Sequence, residues 1–173
     1  MPRYVALLRG VNVGGRRTVA MAELRALFES LGHTDVSTLI QSGNVIFRAT
    51  KPCAPESLEA AIEKRFGIDV NVVLRTPREL RHVVEKNPFT QVDPSKLHEA
   101  FMARTPSPGA VRNLDPERYQ PEEFSLRDRD LYLHLPNGVG RAKLPASLNR
   151  SLGIPTTIRN WATVTKLADV SSR

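Results

Sequence analysis

Apolar positions along this chain alternate between two rhythms. "YVALLR" (4–9) is a near-continuous apolar run, the pattern of a strand buried on both faces. A glycine-hinged loop follows. Met21, Leu24, Leu27, Phe28 and Leu31 then recur at helical spacing, and Gly32 ends the helix. "DVSTLIQ" (35–41) and "NVIFRA" (44–49) predict two strands joined through Ser42 and Gly43, a hairpin-length link. Leu58, Ala61, Ile62 and Phe66 form one face of a second helix closed by Gly67, and "VNVVLR" (70–75) is a fourth strand. The order β-α-β-β-α-β is that of a ferredoxin-like split βαβ unit.

Thr76, Pro77 and Glu79 make a capping box with proline at the first helical position, predicting a helix through Glu85 that "NPF" (87–89) stops. "LHEAFMA" (97–103) reads as a strand, and its apolar positions also fit a short helix. "TPSPG" (105–109) is a turn-forming stretch and the best internal boundary. "EEFSLRD" (122–128) and "LYLHL" (131–135) predict a hairpin, after which "PNG" turns the chain. Leu144, Leu148 and Leu152 line one helix, and Trp161, Val164, Leu167 and Ala168 line the last. The second half repeats the element order of the first without a residue-level repeat. A mixed α+β fold is expected, in halves at 1–104 and 105–173 forming one compact unit.

Composition narrows the chemistry. Of 173 residues, 40% are hydrophobic and 25% charged, as in a globular domain able to bury a core without metal or disulfide support. One cysteine, Cys53, excludes an intramolecular disulfide and a cysteine-based zinc site. The opening apolar run is too short for a signal segment, and no stretch approaches the ~20 apolar residues of a membrane span. A cytoplasmic protein with no membrane partner is expected. Net charge is +7, unevenly placed: residues 1–20 carry +4, residues 137–173 carry +5, and the middle is −2. If the fold joins the two ends, their fields add towards an anionic partner. The same charges could equally form a solvated basic surface.

Several chemistries are missing. His33, His82, His98 and His134 lack metal-ligand spacing, and no cofactor or metal site is expected. Ser42 lies outside any nucleophile-elbow pattern. Cys53 precedes a helix start, where a thiolate could be stabilised, but it stands isolated. Glu122–Glu123 and Asp128–Asp130 read as solvated charge near hairpin ends.

Three stretches do carry candidate chemistry. In "LLRGVNVGGRRTVAM" (7–21), Gly10 and Gly15 have the two-glycine spacing of a P-loop. Arg16 and Arg17, however, stand where that motif has lysine and a hydroxyl. What remains is a loop whose glycines (Gly10, Gly14, Gly15) let backbone N–H groups approach an anion, with Arg9, Arg16 and Arg17 as guanidinium donors and Asn12 among them. Gly14-Gly15 read equally as a φ-positive turn. "IQSGN" (40–44) adds Gln41, Ser42 and Asn44, whose amides can read a base edge or a sugar; the alternative is a tight turn with Asn44 at an unusual backbone angle. In "TTIRNWATVTKL" (156–167), Thr156 or Thr157 could cap the last helix, putting Arg159 and Asn160 in its first turn as an anion site. Trp161 fits base stacking or the core.

"YVALLRGVNVGG", "MAELRALFESLG", "IQSGNVIF", "NPF" and "TIRNWATVTKL" resemble, in order along nearly the whole chain, the bacterial family of unknown function DUF1697. The resemblance implies two related ferredoxin-like βαββαβ-type halves packed together, and no established activity. It places an R-G-[IV]-N-V-G-G loop on Arg9 to Gly15, a Q-S-G-N turn on Gln41 to Asn44 and an R-N-W element on Arg159 to Trp161. The chain departs from the pattern at Ile158 and Ala162, where a threonine and an asparagine are common, so neither of those polar groups can do essential work here.

The expected function is binding of a phosphate-bearing or other anionic ligand, a nucleotide or nucleic acid, through these loops. With 6% aromatics, no RNA-binding aromatic pair lies on a strand. The alternatives are an enzyme acting on a small phosphorylated or carboxylated metabolite with Arg9, Asn12, Gln41, Asn44 and Arg159 in one pocket, and an oligomeric scaffold without ligand.

Overall fold

The computed structural model describes every residue except Val13, Gly14, Arg16 and Arg17. Its described residues form a mixed α+β fold of two four-stranded antiparallel sheets and six α-helices. The chain divides into two compact units, one of Met1–Leu80 with Leu167–Arg173, the other of Arg81–Lys166. The two basic chain ends therefore lie mostly in different units.

In the first unit, strands β1 (Arg3–Leu8), β2 (Thr34–Leu39), β3 (Asn44–Arg48) and β4 (Val72–Arg75) lie in the order β2-β3-β1-β4. Helices α1 (Met21–Ser30) and α2 (Pro55–Phe66) make the crossovers, completing the ferredoxin-like connectivity. One sheet face, with Ala6, Leu8, Val45, Phe47 and Val72, packs on Leu24 and Phe28 of α1 and Leu58 and Ile62 of α2. Val5, Leu7 and Ile46 alternate to the opposite face and are buried as well, which is why β1 reads as an unbroken apolar run. Helix α3 (Pro77–Glu85) opens on the expected capping box: Thr76 N donates to Glu79 Oε2 over 2.7 Å, and Glu79 N to Thr76 Oγ1 over 3.2 Å.

The second unit repeats the plan. Strands β5 (Leu97–Met102), β6 (Glu123–Arg127), β7 (Asp130–His134) and β8 (Thr156–Asn160) lie in the order β6-β7-β5-β8, with helices α4 (Pro108–Arg112) and α5 (Leu144–Leu152) in the crossovers. The likeness extends to single backbone bonds. Leu8 N donates to Gly43 O over 2.9 Å, and Met102 N to Arg129 O over 2.9 Å. Arg9 N donates to Asn71 O over 3.0 Å, and Ala103 N to Pro155 O over 3.0 Å. The "TPSPG" turn lies within this unit and leads through Ser107, which caps α4.

Three local expectations are corrected. The β2–β3 link is a four-residue turn, Ile40 to Gly43, not Ser42–Gly43 alone; Gln41 lies in the turn, and the unusual backbone angles fall on Ile40 (φ +53°) and Gly43 (φ +80°), not on Asn44. Thr156 and Thr157 do not cap the last helix. They begin β8, which carries Arg159 and Asn160, and α6 (Trp161–Ser171) starts after it with Asn160 Oδ1 accepting from Thr163 N over 2.9 Å. Glu122 is buried rather than solvated, and its carboxylate accepts from Lys143 N (3.1 and 3.0 Å) and Leu144 N (2.9 Å) at the start of α5.

Candidate functional site

Three connections of the first unit meet at one end of its sheet. β1 runs to Leu8, and β3 and β4 begin beside it, since Asn44 pairs with Leu7 and Val72 with Leu8. The Arg9–Ala20 loop, the Ile40–Gly43 turn and the segment entering β4 therefore share that end. The corresponding loop of the second unit, Ala103 to Ser107, is less than half as long. The glycine loop is what the first half has and its counterpart lacks.

Asn12 holds this loop. Its Nδ2 donates to Val19 O (2.9 Å) and to Gln41 O (2.7 Å), and its Oδ1 accepts from Val19 N (2.7 Å). One amide thus joins Asn12 to Val19 and to the QSGN turn. Asn12 adopts φ +58°, a region asparagine tolerates. Asn44, fully buried, donates from Nδ2 to Leu39 O and Ser42 Oγ, each over 3.0 Å. Both asparagines therefore hold the backbone of the site, a role that residue type alone does not distinguish from ligand reading.

Arg9 is exposed at this end. It borders a cavity of about 300 Å³ lined by Arg9, Gly10, Asp69 and Asn71. Gly10 and Gly15 take φ +73° and +70°. Asp69 and Asn71 carried no signal in the sequence; the antiparallel start of β4 brings them beside Arg9. Gln41 is exposed in the turn and Ser42 half-buried. Gly14, Arg16 and Arg17, expected as anion ligands, lie outside the described residues.

Arg159, Asn160 and Trp161 belong to the second unit. Arg159 is buried in β8, opposite Glu99 of β5, and its Nη1 donates to Thr157 Oγ1 (2.7 Å) and Ile158 O (3.0 Å). Burial pulls its pKa down to about 10, so it stays cationic at neutral pH. Asn160 is exposed as the α6 cap, and Trp161 is half-buried with its ring 6.3 Å from that of Tyr132. A second concavity in this unit, about 240 Å³, is lined by His82, Val83, Arg127, Asp128, Asp130 and Tyr132. The Tyr132 hydroxyl donates to Val83 O over 2.6 Å; its pKa is raised by burial first, then by Glu99 and Asp130.

Cys53 is half-buried before α2 in the wall of a small cavity of about 130 Å³ that also includes His33, Lys51 and Ser57. Burial raises the thiol pKa against the opposing charge of Lys51, which keeps it protonated at neutral pH. Among the described residues, no group of three or more His, Cys, Asp or Glu could hold a metal ion, and no helix is long and apolar enough to cross a membrane.

The family model described as "Protein of unknown function (DUF1697)" matches residues 1–132. That span includes the glycine loop and the QSGN turn and stops short of Arg159–Trp161. A solved structure, the conserved bacterial protein SP0830 from Streptococcus pneumoniae, is similar at a TM-score of 0.75 and 23% sequence identity. The match covers 100% of this chain and 99% of that one, a likeness of fold. No curated protein matches the sequence.

Proposed function

The chain belongs to the DUF1697 family of proteins of unknown function, and from that premise we propose that it binds a phosphate-bearing ligand of the nucleotide or nucleic-acid class at the loop end of its first sheet. The observation that carries this reading is the Asn12 clasp. It joins Asn12 to Val19 and to the QSGN turn, at the end of the sheet where Arg9 borders an open cavity. Guanidinium groups suit phosphate because their donors match two oxygens at once. Asp69 and Asn71 add an acceptor and an amide, which suit the hydroxyl and base groups of a nucleotide better than a bare inorganic anion.

The reading of a metabolite enzyme has less support. It requires Asn12, Asn44 and Arg159 in one pocket, and all three side chains make internal hydrogen bonds. Fluorescence anisotropy with labelled nucleotides and single-stranded oligonucleotides at several salt concentrations tests the proposal. Binding should weaken steeply with salt. Replacing Arg9, Arg16 and Arg17 by alanine should flatten log K against log salt by about 0.7 for each phosphate no longer neutralised. Salt-independent binding, or none, would sink it.

A further inference from the structure

His33 carries hydrogen-bonding capacity that the protein does not use. The residue is 6% exposed, and its ring packs beside Phe28 and Phe47. Nδ1 is buried without a partner, and among the described residues Nε2 makes no hydrogen bond either. A neutral imidazole has one donor and one acceptor nitrogen, so both go unanswered whichever tautomer is present. Burial first, then the charge of Lys51, hold the ring below its usual pKa of 6.5, and it is neutral at pH 7. Buried polar groups are paired almost everywhere in folded proteins, so an exception that borders open space points to a partner from outside the chain.

That space is present. His33 lines the cavity of about 130 Å³ at the start of α2, where Leu31, Pro52 and Leu58 supply apolar wall and Cys53 and Ser57 a thiol and a hydroxyl. Lys51, the one charged residue among the described residues that line it, is exposed. An apolar cavity of roughly 150 Å³ admits benzene, so this one has room for a single small ring. His33 precedes β2, and Lys51 and Cys53 follow β3. The cavity therefore lies at the opposite end of the first sheet from the Ile40–Gly43 turn. We propose that it is a second ligand site, taking a small neutral molecule with one apolar ring and a hydroxyl that hydrogen-bonds to the His33 imidazole. A hydroxyl both donates and accepts, so it serves either tautomer. The apolar wall meets the ring, and a buried neutral imidazole offers an anion no counter-charge. This site is independent of the phosphate reading above.

Cys53 is the only cysteine of the chain and stands half-buried in this wall, so its labelling reports on this cavity alone. Phenol should slow maleimide labelling of the full chain in a saturable way. It should also raise Tm, since a ligand of the native state stabilises it. Toluene has the same shape without the hydroxyl. The ratio of phenol to toluene affinity, read from protection curves, should fall about tenfold in His33→Phe, the scale of one hydrogen bond lost. A ratio that His33→Phe leaves unchanged overturns the inference, because the cavity then takes apolar molecules without using the imidazole. A second readout needs no variant: in the wild type, phenol but not toluene should move the nitrogen-15 resonances of the His33 ring. Resonances that phenol leaves in place overturn the inference. Labelling that phenol does not slow, or slows without saturation, overturns it as well and leaves water as the only partner of the imidazole.

Discussion

Arg75 and Arg159 hold the same place in the two sheets. Arg75 pairs with Val5, the third residue of β1, and Arg159 pairs with Glu99, the third residue of β5. Both are buried in the last strand of their half, Arg75 as its final residue and Arg159 as its penultimate one, and the next residue in each case caps a helix. With the matching bonds of Leu8 and Met102, this makes the halves alike at the level of register, where the sequence shows no repeat. The caps should then behave alike. Thr76→Ala and Asn160→Ala should each lower unfolding stability by about 1 kcal/mol, the usual cost of an N-cap. Urea denaturation checks this, with Thr76→Ser retaining most of the stability.

Gly43 is required by space as well as by angle. A Cβ there would lie 2.9 Å from Leu8 Cβ, between chains joined by the Leu8–Gly43 hydrogen bond, and φ is +80°. Gly67 also has positive φ, +68°, but a Cβ there meets nothing within 4 Å. Gly67→Ala should cost about 1 kcal/mol from backbone strain alone. Gly43→Ala should cost at least twice as much, because overpacking adds to strain. Thermal melts of the two variants side by side separate the contributions; equal losses would show that the turn yields.

Glu122 reaches across 21 positions in sequence to cap α5, and it does so from a buried site. Lys143, the residue before that helix, makes no side-chain cap of its own. Glu122→Ala should therefore leave the Lys143 and Leu144 N–H groups without their acceptor and cost about 2 kcal/mol. Glu122→Gln, which retains an acceptor oxygen but no charge at the helix N-terminus, should cost less. Chemical denaturation of both variants gives the order.

His33 should make stability depend on pH. Its ring lies 4.8 Å from that of Phe47 and 6.2 Å from that of Phe28, and its Nδ1 is buried without a hydrogen-bond partner. Burial first, then the charge of Lys51, push its pKa below the usual 6.5. The unfolded chain then binds a proton that the native state resists. His33's contribution is complete above pH ~6.5 and is lost as pH falls from there through the lowered native value. Tm should drop between pH 7.5 and 5, with the same direction added by buried His98. His33→Phe should flatten part of that drop, and a drop of equal size in the variant would exclude His33 as a source.

Where the sequence was legible, apolar periodicity carried it. β1, α1, α2 and the Thr76 capping box follow from residues whose burial and local chemistry repeat at strand or helix spacing. β8 escaped because Thr156, Thr157 and Arg159 are buried polar residues, so no apolar alternation marks the strand, and threonines before an apolar helix imitate caps. Ile40 extended the apolar pattern of β2 past its true end at Leu39, since side-chain type does not report a positive φ. At the site, the sequence located the loop and the turn but not their partners. Asp69 and Asn71 arrive through antiparallel register, and the acceptors of Asn12 are main-chain oxygens that no residue type announces.

Asn12 should prove structural first and functional through structure. Its amide makes three hydrogen bonds to main-chain groups at Val19 and Gln41, and its backbone sits in the left-handed region. Asn12→Ala removes all three bonds and adds strain, for a loss of about 2–3 kcal/mol. Asn12→Gly removes the bonds but relaxes the backbone, and should lose less. Asn12→Asp keeps an acceptor for Val19 N and loses both donated bonds, leaving a carboxylate facing the Val19 and Gln41 carbonyls. It should destabilise more than Asn12→Gly and also repel an anionic ligand. If Asn12 acts by holding the loop, the losses of ligand affinity in Ala and Gly variants should follow their losses of stability, and the salt slope should stay unchanged because no cation has been removed. Asn12→Gly at full stability but without binding would instead make the amide a direct ligand group.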